Sequence, residues 1–182
     1  MTEVTYNAQP YMAKLLRDKY NTMYIGIARA TAWTDDTKPP AEDPSSVGLD
    51  GPILYKKVTS ASLCKQVADG ATPPSNAFKV GSKSYYLVGD SDIYSGGVNY
   101  LYVVATINSS DIPSGTITYR QHGLFVDLQP KSGVTKTALL PGEVSNVGTM
   151  IEIGNDLPNS ISATSGSQIG VLYKVERANE TE

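Results

Sequence analysis

The sequence predicts a mainly β protein, an antiparallel β-sandwich with a short N-terminal α-helix. Gly (16) and Pro (11) are spread along all 182 residues instead of gathering in a linker, so the chain turns often. Past residue 21 the apolar residues recur with a period of two, in segments rich in Tyr, Val, Ile and Thr. Only one stretch of any length repeats its apolar residues at spacings of three and four.

That stretch is Ala8 to Tyr20, where Tyr11, Met12, Leu15, Leu16 and Tyr20 form a stripe between Lys14, Arg17, Asp18 and Lys19. Pro10 suits its first turn and Asn21 its end. We read residues 1–21 as a helical arm that covers a sheet edge or reaches a neighbouring subunit, and residues 22–182 as the β-sandwich domain. Thr22–Arg29 reads as the first strand. After Trp33 comes a proline-rich loop, residues 34–52, in which Pro39, Pro40 and Pro44 forbid a central strand or a helix and favour a mobile, extended surface segment. Ile53–Val58 reads as a further strand, Thr59–Ala71 fits either a short helix or irregular chain, and Thr72–Asn76 is a break. Strands follow at Ser84–Gly89, Val98–Asn108, Thr116–Leu128, Thr149–Ile153 and Gln168–Arg177. Asp90–Asp92, Ser95–Gly97, Ser109–Gly115, Gln129–Gly133 and Gly154–Asn159 carry turn chemistry between them.

Composition removes several functional classes. A chain of 19.5 kDa fits one ordinary domain. Fifteen Lys and Arg against 18 Asp and Glu give a net charge of −3, which argues against a protein that tracks nucleic-acid phosphates. The longest apolar run, Tyr100–Ile107, is about a third of what a membrane-spanning helix needs. The first residues lack the basic patch and apolar run of a signal peptide, so the chain reads as a soluble protein kept in the cytoplasm. In that setting the glycosylation patterns at Asn108 and Asn179 carry no meaning. A single cysteine, Cys64, excludes an internal disulfide, and with one histidine the chain falls short of a structural zinc site.

Catalytic sets are equally thin. His122 is the sole candidate imidazole base, and it sits in an alternating run that reads as strand. Cys64 and His122 have no supporting spacing. Asp35 and Asp36 lie in the proline-rich loop, where acids cap turns or face water. The run from Asp90 through Asp92 begins like a calcium loop, yet Ser95 stands where the glycine is required and Leu101 where the bidentate glutamate belongs. There is no phosphate-cradling glycine loop and no cofactor signature, and the lysines and arginines are interspersed with acids.

Contact chemistry is better represented. Tyrosine makes up 12 of the 15 aromatics, and an apolar ring with a wet hydroxyl suits contact surfaces as well as half-exposed strands. Trp33, ahead of Pro39 and Pro40, reads either as a docking anchor preorganised by prolines or as a ring packed in the core. Arg120, beside Tyr119, forms its fork either with a partner's carboxylate or with one of this chain. The candidate interface residues are therefore Tyr11, Leu15, Trp33, Pro39, Pro40, Tyr119 and Arg120; no catalytic, cofactor or metal residue is assigned.

Two stretches, in order, carry a family resemblance. Tyr24–Pro40 has a strand, a tryptophan, an acidic pair and a double proline. It resembles the N-terminal strand and loop of baseplate wedge subunits of contractile-tailed bacteriophages. Tyr119–Pro130 followed by Ala138–Pro158 is similar to that family's arginine-glutamine strand, valine-serine turn and asparagine-proline loop, and Gln168–Glu176 fits its closing strand. The resemblance covers most of the chain, as a compact, shorter version. It implies a structural subunit of the virion tail, assembled in the host cytoplasm, a baseplate wedge adaptor that binds other tail proteins and forms a homodimer. A neck, collar or head–tail connector protein is the alternative within the same particle. A carbohydrate- or receptor-binding module with stacking tyrosines is the alternative from another class, and a metal- or cysteine-dependent hydrolase the third.

Overall fold

A computed structural model describes residues 5–112, 115–162 and 164–175. The chain is mainly β, its paired strands antiparallel, with one short N-terminal helix. The helix, α1, runs Ala8–Asp18, and a short 3-10 turn follows at Tyr20–Thr22. The strands are β1 (Tyr24–Ala28), β2 (Pro52–Lys57), β3 (Ser60–Gln66), β4 (Ala77–Val80), β5 (Lys83–Leu87), β6 (Tyr100–Ile107), β7 (Thr116–Val126), β8 (Gln129–Pro130), β9 (Ala138–Leu139), β10 (Val144–Asn146), β11 (Thr149–Ser162) and β12 (Ser167–Lys174).

Several expectations need correction. Thr59–Ala71 contains strand β3, and β4 was not foreseen at all: short strands with mixed burial give too weak a period to read. Gly154–Asn159 does not close β11. The strand continues to Ser162 through a bulge, with Asn155 opposite Gln121 and Asn159 opposite Tyr119. Pro158 lies among the extra residues of that bulge, where a missing N–H breaks no ladder bond. The last strand ends at Lys174, and Glu176 and Arg177 lie outside the described residues.

The described residues divide into two compact units. The first takes residues 5–20, 60–103 and 170–175. It holds α1 beside β3 and most of a sheet ordered β12-β6-β3-β5-β4. Aromatic rings link its strands: Phe78 lies 4.5 Å from Tyr102 and 6.0 Å from Tyr85, and Tyr85 lies 5.2 Å from Tyr100.

The second unit, built from residues 21–59 and 104–169, contains a sheet ordered β11-β7-β1-β2-β9 and the β10-β8 pair. Every residue of β1 is buried, as befits the central strand. Tyr24, Tyr55, Phe125, Leu128 and Leu139 form a core against which Leu49, Val134, Val144 and Met150 pack. Tyr55 meets Phe125 edge-on at 5.3 Å. The buried Lys56 ammonium is satisfied by Asp111 at 2.6 Å and by Thr137 at 3.0 Å, as a desolvated charge requires.

Candidate functional site

The densest polar construction in the second unit joins the proline-rich segment to β7 and β11. It begins at a pair of glycines. Gly26 on β1 stands opposite Gly123 on β7, and their missing side chains leave a dimple in the sheet. Leu49 fills it: a Cβ at Gly26 would fall 2.8 Å from Leu49 Cδ1, and one at Gly123 would fall 3.1 Å from Leu49 Cδ2. The far end of the loop is therefore seated by apolar packing.

At the neck of the loop, Arg29 leaves β1 with φ of 57°, a left-handed conformation costly for a side chain. Its amide donates to Asp50 O at 3.0 Å, and its guanidinium pairs with the Asp50 carboxylate. The guanidinium carbon also lies 3.9 Å from the centre of the Trp33 ring. The Asp50 amide in turn donates to Gln121 Oε1 at 2.7 Å, so strand residue and loop end are tied directly.

Arg120 fastens the middle. Its Nε and Nη2 both donate to the Asp36 carboxylate at 2.8 Å, and Nη1 donates to Ala30 O at 2.7 Å. This is the planar two-toothed geometry that only arginine provides. Of the two roles open to Arg120, the one present is the pair within the chain. The Arg120 bonds, with a further bond from the Trp33 amide, hold the Asp36 carboxyl below its ordinary range. The Trp33 indole donates to Asp156 O at 2.9 Å. Asn155 completes the attachment, donating from Nδ2 to Pro40 O at 3.1 Å and from its amide to Glu42 Oε1 at 3.2 Å. The segment expected to be mobile is thus held along its length. Beside it, Glu42, Pro44, Ser46 and residues 150–153 of β11 line an open cavity of about 360 Å³.

His122 belongs to the same strand pair. Nδ1 lies 2.6 Å from Asp156 Oδ2 and Nε2 lies 3.4 Å from Glu152 Oε1. Gly154 lies directly opposite, where a Cβ would run into the ring. Burial opposes protonation of this imidazole, but the two carboxylates outweigh it and lift the pKa to about 10. At neutral pH it is an imidazolium inside an ion cluster, which is not a general base. Cys64, in β3, is buried, and burial pushes its thiol up to about 12 despite a backbone hydrogen bond from Tyr102; such a thiol is not a ready nucleophile. Asp90 pairs with Arg17 and Asp92 accepts from Ser91. Among the described residues no group of three or more His, Cys, Asp or Glu is placed to hold a metal ion, and no helix is long and apolar enough to cross a membrane.

The residues singled out from the sequence separate. Tyr119 is buried on β7, its hydroxyl pushed up to about 12 by burial and then by the Asp156 charge. Trp33, Pro39 and Arg120 are partly or fully covered in the loop assembly, and Pro40 is exposed. Tyr11 and Leu15 are exposed on α1, in the first unit. His122 is the strand residue the sequence suggested, whereas Gln121, Asn155, Asp156 and Leu49 were missed; the only signal was the cross-strand glycines, whose meaning depends on register.

Comparison with known proteins puts the chain in the class of bacteriophage virion structural proteins of the tail baseplate. The family model described as "Baseplate wedge 3 tail fiber network component" matches residues 1–175, and the chain belongs to that family. It is also similar to "Virion protein 3" of Enterococcus phage phiEF24C, with 35% identity over 150 residues that cover 82% of each chain.

Proposed function

We propose that the chain is a non-enzymatic adaptor in the baseplate wedge that joins neighbouring wedge subunits to the tail fibre network. The observation that supports this reading most is the loop fastened by Arg120, Gln121 and Asn155. A surface already held in one conformation loses little entropy when it docks, so more of the contact free energy appears as affinity. Pro40 and Val47 stand exposed on the loop, and Leu157 is exposed two residues beyond Asn155, giving a firm surface with scattered apolar contacts.

Two measurements test this together. The chain is expected among the proteins of purified virions, and the purified chain is expected to co-elute with wedge or fibre proteins of the same phage in size exclusion. The double substitution Val47→Asp with Leu157→Asp should weaken that complex without lowering thermal stability. Absence from virions together with no complex would refute the adaptor reading, as would turnover of a substrate by the isolated chain.

A further inference from the structure

Asp50, the residue that ties the end of the proline-rich loop to the sheet, is followed directly by Gly51. That order of residues carries a reaction of its own. An aspartate carboxyl carbon can close a five-membered ring with the amide nitrogen of the next residue, and closure is fastest when that residue is glycine, whose missing side chain leaves the nitrogen unhindered. The Asp50 side chain is 63% exposed, and a Cβ at Gly51 would meet nothing within 4 Å, so water and space are both at hand. Glycine is also held to this position by the backbone. Its φ of 61° lies in the left-handed region that other residues enter at a cost.

The neck of the loop opposes the reaction. Ring closure needs the Asp50 side chain to swing toward the Gly51 amide while the peptide unit between them turns. The Asp50 amide donates to Gln121 Oε1 at 2.7 Å, and the Arg29 amide donates to Asp50 O at 3.0 Å while shared with Gly51 O at 3.3 Å. The peptide units on both sides of Asp50 are thereby pinned. The carboxylate accepts from Arg29 Nη1, and that guanidinium is itself held 3.9 Å from the centre of the Trp33 ring. An ion pair as exposed as this adds little to overall stability, yet it takes away the movement that the reaction requires.

We propose that Asp50-Gly51 is a covalent self-modification site, closing to a succinimide and reopening to isoaspartate when the loop neck lets go, and that Arg29 and Gln121 hold it unreacted in the folded chain. In the first step the carboxylate takes a proton from water and the Gly51 nitrogen attacks the Asp50 carboxyl carbon. A C–N bond forms, a C–O bond breaks, and the departing oxygen leaves as water with the amide proton. In the second step water adds to one of the two imide carbonyls. Addition at the side-chain carbonyl breaks the new C–N bond and restores aspartate. Addition at the main-chain carbonyl breaks the original peptide bond and leaves the backbone running through the side-chain carbon. Nothing is oxidised or reduced, and the final mass equals the starting mass. The isomer carries an extra backbone carbon at the loop end, so the bonds to Gln121 and Arg29 do not both re-form. The inference is independent of what the loop surface binds.

The test incubates the purified full-length chain for weeks at neutral pH, with and without urea, and scores residue 50 for isoaspartate by fragmentation mass spectrometry and by enzymatic methylation. Isoaspartate is expected to accumulate roughly tenfold or more faster in urea, because the pinned neck must open before the ring can close. Arg29→Gln, folded by its melting curve, should accumulate it about threefold faster than wild type, the scale of a partly exposed ion pair. Gln121→Ala provides a second release of the same neck. Asp50→Glu, whose ring would be six-membered, should give no isomer at this position. Equal rates with and without urea would overturn the clamp, and no isoaspartate even in urea would overturn the site. Arg29→Gln and Gln121→Ala that fold and react as slowly as wild type would remove both residues from the role assigned to them and overturn the proposal.

Discussion

The proline-rich loop and the N-terminal helix reverse what their compositions suggest. The loop is polar and proline-rich, yet Arg120, Gln121 and Asn155 fasten it and Leu49 plugs it into the sheet. The helix is amphipathic, yet Tyr11, Met12 and Leu15 face outward. Hydrophobicity alone does not decide which segment is held. Geometry does: three hydrogen bonds from one buried guanidinium immobilise a segment that offers little to bury, whereas an apolar stripe stays bare when smaller residues opposite it suffice for seating.

Removing the guanidinium should break this contrast most severely. Arg120→Ala removes two of the bonds to the Asp36 carboxylate and the side-chain bond to Ala30 O at once, leaving Asp36 only the Trp33 amide, and we expect the largest fall in melting temperature of this set together with new proteolytic cleavage within residues 34–46. Arg120→Lys should recover only part, since a point charge cannot reproduce the fork. The glycine dimple comes next. Gly26→Ala places a methyl against Leu49, Phe125 and Tyr55, and should cost about 1–3 kcal/mol in denaturant unfolding. Combining it with Leu49→Ala should give less than the sum of the two, because both act on one contact.

How much of this was legible in the sequence follows from where the signals lie. Strands β1, β2, β5, β6 and β7 announce themselves by short runs rich in Tyr, Val, Ile and Thr between turn residues, and the helix by its spacing. Arg120 could be marked as a fork-former, but its carboxylate lies 84 residues away in sequence, and no local pattern encodes that distance. The outward turn of α1 was hidden for a related reason. An apolar stripe says which face differs, not which face is buried; Ala13 and Pro10 settle the seating only once β3 lies beside them. The β11 bulge was read as a turn because Gly154, Asn155, Pro158 and Asn159 have turn chemistry, and the partner strand overrode it.

His122 sharpens the contrast through pH. Its folded pKa, about 10, lies above the ordinary value of 6.5, so the stability it contributes is complete below about 6.5 and is lost as pH rises through about 10. Stability of the second unit should therefore decline between pH 7 and 9, below the range where the buried Cys64 and Tyr119 add their own titrations. In His122→Asn the decline over that interval should flatten, which denaturant melts at several pH values will show. The smallest expected effect belongs to the helix: Leu15→Glu should change unfolding free energy by no more than about 0.5 kcal/mol, since the side chain is already half in water.

Amide hydrogen exchange on the purified full chain tests the fastened loop most directly. The Trp33 and Asp50 amides, bonded to Asp36 and Gln121, should exchange far more slowly than free peptide and approach the protection of β7, with that protection lost in Arg120→Ala. Free-peptide exchange at both positions in the wild-type chain would contradict the account.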